Sequence, residues 1–169
     1  MDHILKKADA LVRRFKTRNP FEIADHLNIT VKYGEFTQLK GFYNYTFRNR
    51  FIVINSRLNE IEQNITCSHE LGHDRLHRKQ AQLGLMREDY HIFNVADLCE
   101  REANLFAAQL LIDDNDFLDF ASMKYTSAQI ASELKVHEEL AIIKGTILNS
   151  QGYHLDIPYL PSSTYLGKK

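Results

Sequence analysis

Apolar positions recur at helical spacing over residues 3–17. Ile4, Leu5, Ala8, Leu11, Val12 and Phe15 share one face, and Lys6, Lys7, Arg13, Arg14 and Lys16 take the other. Asn19-Pro20-Phe21-Glu22 reads as a helix start, with Asn19 as cap and Pro20 in the first helical position, for a short helix to about His26. Asn28 and Gly34 bracket a strand, Ile29 to Tyr33. Residues 41–55 read as a β-hairpin: Gly41 to Phe47 is rich in β-formers, Arg48-Asn49-Arg50 turns, and Phe51 to Asn55 returns. Asn59 and Glu62 form a capping box for a helix running to about Arg78. Residues 79–94 have no clear period and read as a long polar loop. Asn94 with Asp97 opens a helix to about Ile112, and Asp113 to Asp116 caps a short one through Ala121. Thr126 and Gln129 start two helical segments, broken at Lys135-Val136-His137 and ending near residue 149.

These elements predict an α+β fold, a small antiparallel sheet packed on helices. Residues 1–125 would be the core, 126–150 a helix-turn-helix-like segment packed on it, and 151–169 an extended tail.

The long helix through residue 78 carries chemistry. Its centre reads His69-Glu70-Leu71-Gly72-His73. Residues four apart lie one turn above each other on one helix face, so the two imidazoles can share a metal ion. This H-E-x-x-H arrangement fits tetrahedral Zn²⁺ with an open fourth site, and Glu70 is placed to act as general base on a water there. The flanking Ile65, Leu71, Gly72 and Leu76 are apolar or small. The helix is therefore buried, where unpartnered polar groups are costly.

Such a site needs a third ligand. A further histidine in the pattern H-E-x-x-H-x-x-G-x-x-H is excluded, because Leu76 and Lys79 stand where Gly and His would be needed. The alternative is a glutamate from a second helix. Glu100, Ala103, Asn104 and Ala107 form one stripe, and the alanines permit close helix approach. Glu100 would ligate, and Asn104 would orient a ligating histidine from behind. Glu102 is the rival ligand, about 160° from the Asn104 face at 3.6 residues per turn. His77, one turn past His73, sits roughly 80° off the His69 face and suits a supporting contact better than ligation. Tyr90, His91 and Tyr125 are candidate donors to the oxyanion of a tetrahedral intermediate.

Together these segments resemble the ImmA/IrrE family of metallopeptidases. The carrying residues are His69 to His73 with His77, then Glu100-Arg101-Glu102-Ala103-Asn104-Leu105-Phe106-Ala107-Ala108-Gln109-Leu110-Leu111. Weaker likeness runs from the Asn19-Pro20 region to about Leu148. The Met-Pro that often follows the Leu-Leu pair is replaced here by Ile112-Asp113, a change at a helix end, away from the chemistry. The resemblance implies a gluzincin-like, zinc-dependent endopeptidase. It also implies a substrate: a helix-turn-helix repressor of a phage or mobile element. The competing reading is a non-catalytic module that docks to a repressor and inactivates it, with zinc structural or absent.

Composition narrows the partners. The chain has 169 residues, 44% hydrophobic and 25% charged, with a net charge of −1. That is ordinary for one globular domain and gives no large electrostatic attraction to nucleic acid. The second segment of the helix-turn-helix-like stretch starts with Glu138 and Glu139 and has Lys144 as its only basic residue, so direct DNA binding is not expected. No apolar run is long enough to span a bilayer, and residues 1–18 lack the apolar stretch of a signal peptide. Cys67 and Cys99 are expected as buried free thiols in a cytoplasmic protein.

Overall fold

The computed structural model describes residues 1–82 and 93–158. The chain opens with α1 (Asp2–Phe15) and α2 (Pro20–His26). Three strands follow: β1 (Thr30–Gly34), β2 (Gly41–Thr46) and β3 (Asn49–Asn55). Among the described residues, six helices follow: α3 (Glu60–Leu76), α4 (Arg78–Gln82), α5 (Phe93–Leu111), α6 (Asp114–Ser122), α7 (Ser127–Glu133) and α8 (Glu138–Ser150). Among the described residues, no helix is long and apolar enough to cross a membrane.

Local chemistry sets most of these boundaries. The α1 helix ends where Lys16 turns left-handed at φ 59° and its N–H bonds the Val12 carbonyl. The Asn19 side chain accepts from the N–H groups of Phe21 and Glu22 at the start of α2. Asn59 and Glu62 close a reciprocal capping box on α3, and Thr126 and Gln129 do the same on α7. Asp113 caps α6 by accepting from the N–H of Asn115. The expected Asn94–Asp97 cap lies outside the described side chains.

The sheet has the order β1-β3-β2, and it is mixed rather than wholly antiparallel. β2 and β3 form the expected hairpin, but β1 runs parallel to β3. The reason is the crossover. Residues 35–40 carry the chain across the end of β3, so β1 and β2 flank it and run in opposite directions. Asn55, the last residue of β3, ties that crossover down. Its side-chain amide donates to the carbonyls of Phe36 and Leu39, both at 2.9 Å, and its N–H donates to Lys40. The hairpin turn is also tighter than expected. Thr46 pairs with Asn49, leaving only Phe47 and Arg48 in the turn, both left-handed at φ 48° and 64°.

The main core packs Ile4, Ala8 and Leu11 of α1 and Ile23 and Ala24 of α2 against Ile52 and Ile54 of β3. Cys67 and Leu71 of α3 and Phe106 and Leu110 of α5 complete it. Each fully buried aliphatic side chain contributes about 1.5–3 kcal/mol. Two smaller clusters extend the core through α5 to α6, α7 and α8. Both cysteines are buried and free. Arg18 holds the far end of α5, donating to the carbonyls of Gln109 (3.0 Å) and Leu110 (2.9 Å) and to the Asp113 carboxylate. Residues 153–158 fold back on α8: the Asn149 side chain bonds both the N–H and the carbonyl of Leu155, and Ile157 lies against Gly145.

Residues 79–82, expected as loop, belong to the short helix α4. The remainder of that expected loop, with Tyr90 and His91, lies outside the described residues, as does the tail beyond 158.

Candidate metal centre

The α3 and α5 helices lie against each other with Gly72 facing Ala103. A Cβ added at Gly72 would meet the Ala103 Cα at 3.1 Å. No larger pair would let the two backbones approach so closely. That approach brings Glu100 of α5 onto the His69–His73 face of α3.

His69, His73 and Glu100 form a group whose potential ligand atoms all lie within 4.8 Å of one another. His69 Nε2 is 3.0 Å from His73 Nε2 and 3.1 Å from Glu100 Oε2, and His73 Nε2 is 3.4 Å from Glu100 Oε1. A tetrahedral zinc with bonds of about 2.0–2.1 Å needs neighbouring donors about 3.3 Å apart. The spacings match. Both imidazoles are almost fully buried, while Glu100 is about one-third exposed, so the group opens to solvent on the α5 side.

Partners behind the rings fix which nitrogen faces the group. His69 Nδ1–H donates to Asn104 Oδ1 at 2.9 Å. His77 Nε2–H donates to the Glu102 carboxylate at 2.9 Å, and His73 Nδ1 meets His77 Nδ1 at 3.2 Å. With Nδ1 of His69 and of His73 each carrying the proton, both Nε2 atoms present lone pairs. They face each other and the Glu100 carboxylate. With both rings neutral, three acceptors converge there, and a cation is needed among them.

The electrostatics separate the two rings. Burial pushes the His73 pKa down to about 4, so that ring is neutral. At His69, burial opposes a positive charge, but the hydrogen bond to Glu100 and the Glu70 and Glu100 carboxylates outweigh it and raise the pKa. The same imidazoles hold Glu100 far below the usual carboxylate range, against the effect of its burial. Burial also lowers His77, despite Glu102.

Glu70 is buried, with 6% exposure. It lies on α3 between Thr66, which packs against Gly41, and Asp74, whose carboxylate accepts from Tyr43 O–H at 2.8 Å. Residues 66, 70 and 74 are spaced by four, so Glu70 looks toward β2. β2 is the edge of the hairpin and β3 the central strand.

Of the other expected site residues, Glu102 is not in the ligand group but pairs with His77. Tyr125 packs on Phe120 in the connection between α6 and α7. The surroundings of Asp74 were not legible from the chain alone. Its fully buried carboxylate is 2.8 Å from Arg78 and 3.4 Å from Arg50 in addition to Tyr43. The spacing of Asp74 and Arg78 by four residues was the available signal. Arg50 and Tyr43 come from the sheet and had none.

The chain is similar in sequence to known proteins. Residues 24–144 match the family model Peptidase M78, described as IrrE N-terminal-like domain. A relative from Bacillus phage phi105, named uncharacterized immunity region protein 2, is 42% identical over 135 residues, covering 79% of this chain and 84% of the relative. Metallopeptidase ImmA of Bacillus subtilis (strain 168) is 25% identical over 140 residues, covering 79% of this chain and 78% of ImmA. The match spans α3 and α5 with the acceptor group between them, and the chain belongs to the peptidase M78, IrrE N-terminal-like family.

Proposed function

We propose that the protein is a zinc-dependent endopeptidase of the cytoplasm that cuts a regulatory protein of a phage or mobile element, a helix-turn-helix repressor in the first instance. The observation that carries the reading is the convergence of His69 Nε2, His73 Nε2 and the Glu100 carboxylate at tetrahedral spacing. These three residues would hold the ion. A bound zinc supplies Lewis acidity, polarising the scissile carbonyl and lowering the pKa of an attacking water to about 7.

The chain's own residues do the rest. Asn104 holds the His69 ring by its Nδ1–H. Glu70 takes a proton from the attacking water and delivers it to the departing amine. It faces the side of α3 that lies along β2, and an extended substrate segment would add to that edge strand. The substrate class is supported by the names of the relatives, one from a phage immunity region and one a metallopeptidase. The α8 helix offers little to a phosphate backbone: it opens with Glu138 and Glu139, and Lys144, its one basic residue, is fully buried.

Elemental mass spectrometry of the purified wild type beside Glu100→Ala tests the centre. Near one zinc per chain, lost in the variant, is the expected result. No zinc in either protein after reconstitution overturns the reading and leaves a docking module that acts without cleavage. Glu70→Gln should keep zinc and fold but lower cleavage at least 10²-fold, roughly the contribution of a general base. Undiminished function in that variant removes the peptidase mechanism.

A further inference from the structure

Glu102 enters the sequence reading as a rival ligand, and the structure gives it another partner. It lies on α5 two residues past Glu100, and its carboxylate meets His77 Nε2 at 2.9 Å. His77 in turn meets His73 Nδ1 at 3.2 Å. Helical periodicity alone would carry His77 away from the His69 face. The chain leaves helical geometry at His77, which caps α3 at φ −121° and ψ 16°, and the ring reaches back toward His73.

We propose that Glu102 and His77 are positioning residues, a carboxylate–imidazole–imidazole chain that holds His73 in the tautomer able to bind a metal ion. The inference rests on reading His69, His73 and Glu100 as a metal centre. The direction of the chain follows from donor chemistry. An ionised carboxylate only accepts, so His77 carries its proton on Nε2. His77 Nδ1 is then a lone pair and accepts from His73 Nδ1–H. His73 Nε2 is left as a lone pair, facing His69 Nε2 and Glu100. Each link determines the next. The rings of His73 and His77 are 4% and 3% exposed, so water has little access to replace either bond, while Glu102 stands at the rim with 24% exposure. Asn104 does the same for His69 in one step. The centre thus has one anchor per imidazole, both from α5, the helix that also supplies Glu100.

Two measurements test the chain: zinc affinity by competition with a chromophoric chelator, and imidazole ¹⁵N shifts by NMR in the zinc-loaded and metal-free protein. Wild-type protein should carry protons on His73 Nδ1 and His77 Nε2. Glu102→Leu should bind zinc roughly 10- to 100-fold more weakly, the usual effect of losing an outer partner of a ligating histidine. His73 should then show a mixture of tautomers. Glu102→Gln keeps an acceptor oxygen and should recover most of the affinity, a rescue that a purely structural role for the charge does not give. His77→Phe should lose as much as Glu102→Leu, and the double variant no more than His77→Phe alone, because the two act in series. A proton on His73 Nε2 in the metal-free wild type overturns the proposal. So does wild-type affinity in Glu102→Leu, or additive losses in the double variant. If the wild type takes up no zinc, the metal reading fails by itself, and the tautomers still decide the chain.

Discussion

Gly72 stands where α3 and α5 come closest, and two opposing effects act on Gly72→Ala. Helix propensity favours alanine by about 1 kcal/mol. Against that, the new methyl would sit 3.1 Å from the Ala103 Cα and 3.3 Å from its carbonyl oxygen. Backbone cannot swing aside as a flexible side chain can, and such overpacking costs about 1–3 kcal/mol. The expected net result is lower stability in urea unfolding, together with weaker zinc binding as Glu100 is moved away from the two histidines. A more stable variant with unchanged zinc affinity would show that this contact does not set the helix spacing. The same contact explains what was legible in the residues. His69, Glu70 and His73 are related by one helix's geometry, which sequence spacing fixes. Glu100 was readable as a stripe on a second helix. Whether Glu102 or His77 reached the centre depended on the separation and roll of two helices and on the end of α3. No periodicity encodes these.

Among the elements, the helices were readable because their caps are local chemistry, as at Asn59 with Glu62 and Thr126 with Gln129. The sheet was less so. Parallel pairing of β1 with β3 depends on Asn55 binding the crossover at Phe36 and Leu39, contacts 16 and 19 residues apart in the chain. The hairpin turn was misplaced because its two residues break the usual preference. Phe47 and Arg48 are both left-handed, where Asn-Gly is favoured and other L-residues are strained by about 1–2 kcal/mol each. Phe47 is 93% exposed, so replacing it removes little packing. Phe47→Asn combined with Arg48→Gly should therefore raise stability by about 1 kcal/mol, once the greater freedom of glycine in the unfolded chain is subtracted. Thermal unfolding of the double variant reads this directly. A lower midpoint would contradict a two-residue left-handed turn.

Across the whole molecule, a buried polar line joins the N-terminal helix to the last one. Gln109 of α5 donates to Asp9 of α1 at 2.8 Å, and accepts from the Lys144 ammonium of α8 at 2.8 Å. Lys144 also pairs with Asp114 of α6. Its side chain has no exposed surface, so the residue that would have been the basic contact of a DNA-reading helix instead fastens that helix to the core. Burial lowers its pKa below 10.5, only partly offset by Asp114. A base that holds its proton less tightly in the folded state than in the unfolded one costs stability while charged. That cost is present at neutral pH and is relieved as pH rises through the folded pKa toward 10.5. Lys144→Met removes the titration while keeping most of the volume. Asp114, with a side chain 43% exposed, can rehydrate when its partner is lost. The stability difference between the wild type and Lys144→Met should therefore move in favour of the wild type between pH 7 and pH 10, measured as paired urea midpoints. Movement the other way would mean that the ion pair with Asp114 outweighs the cost of burying the ammonium. The α8 helix would then be held to the core by charge more than by its apolar face.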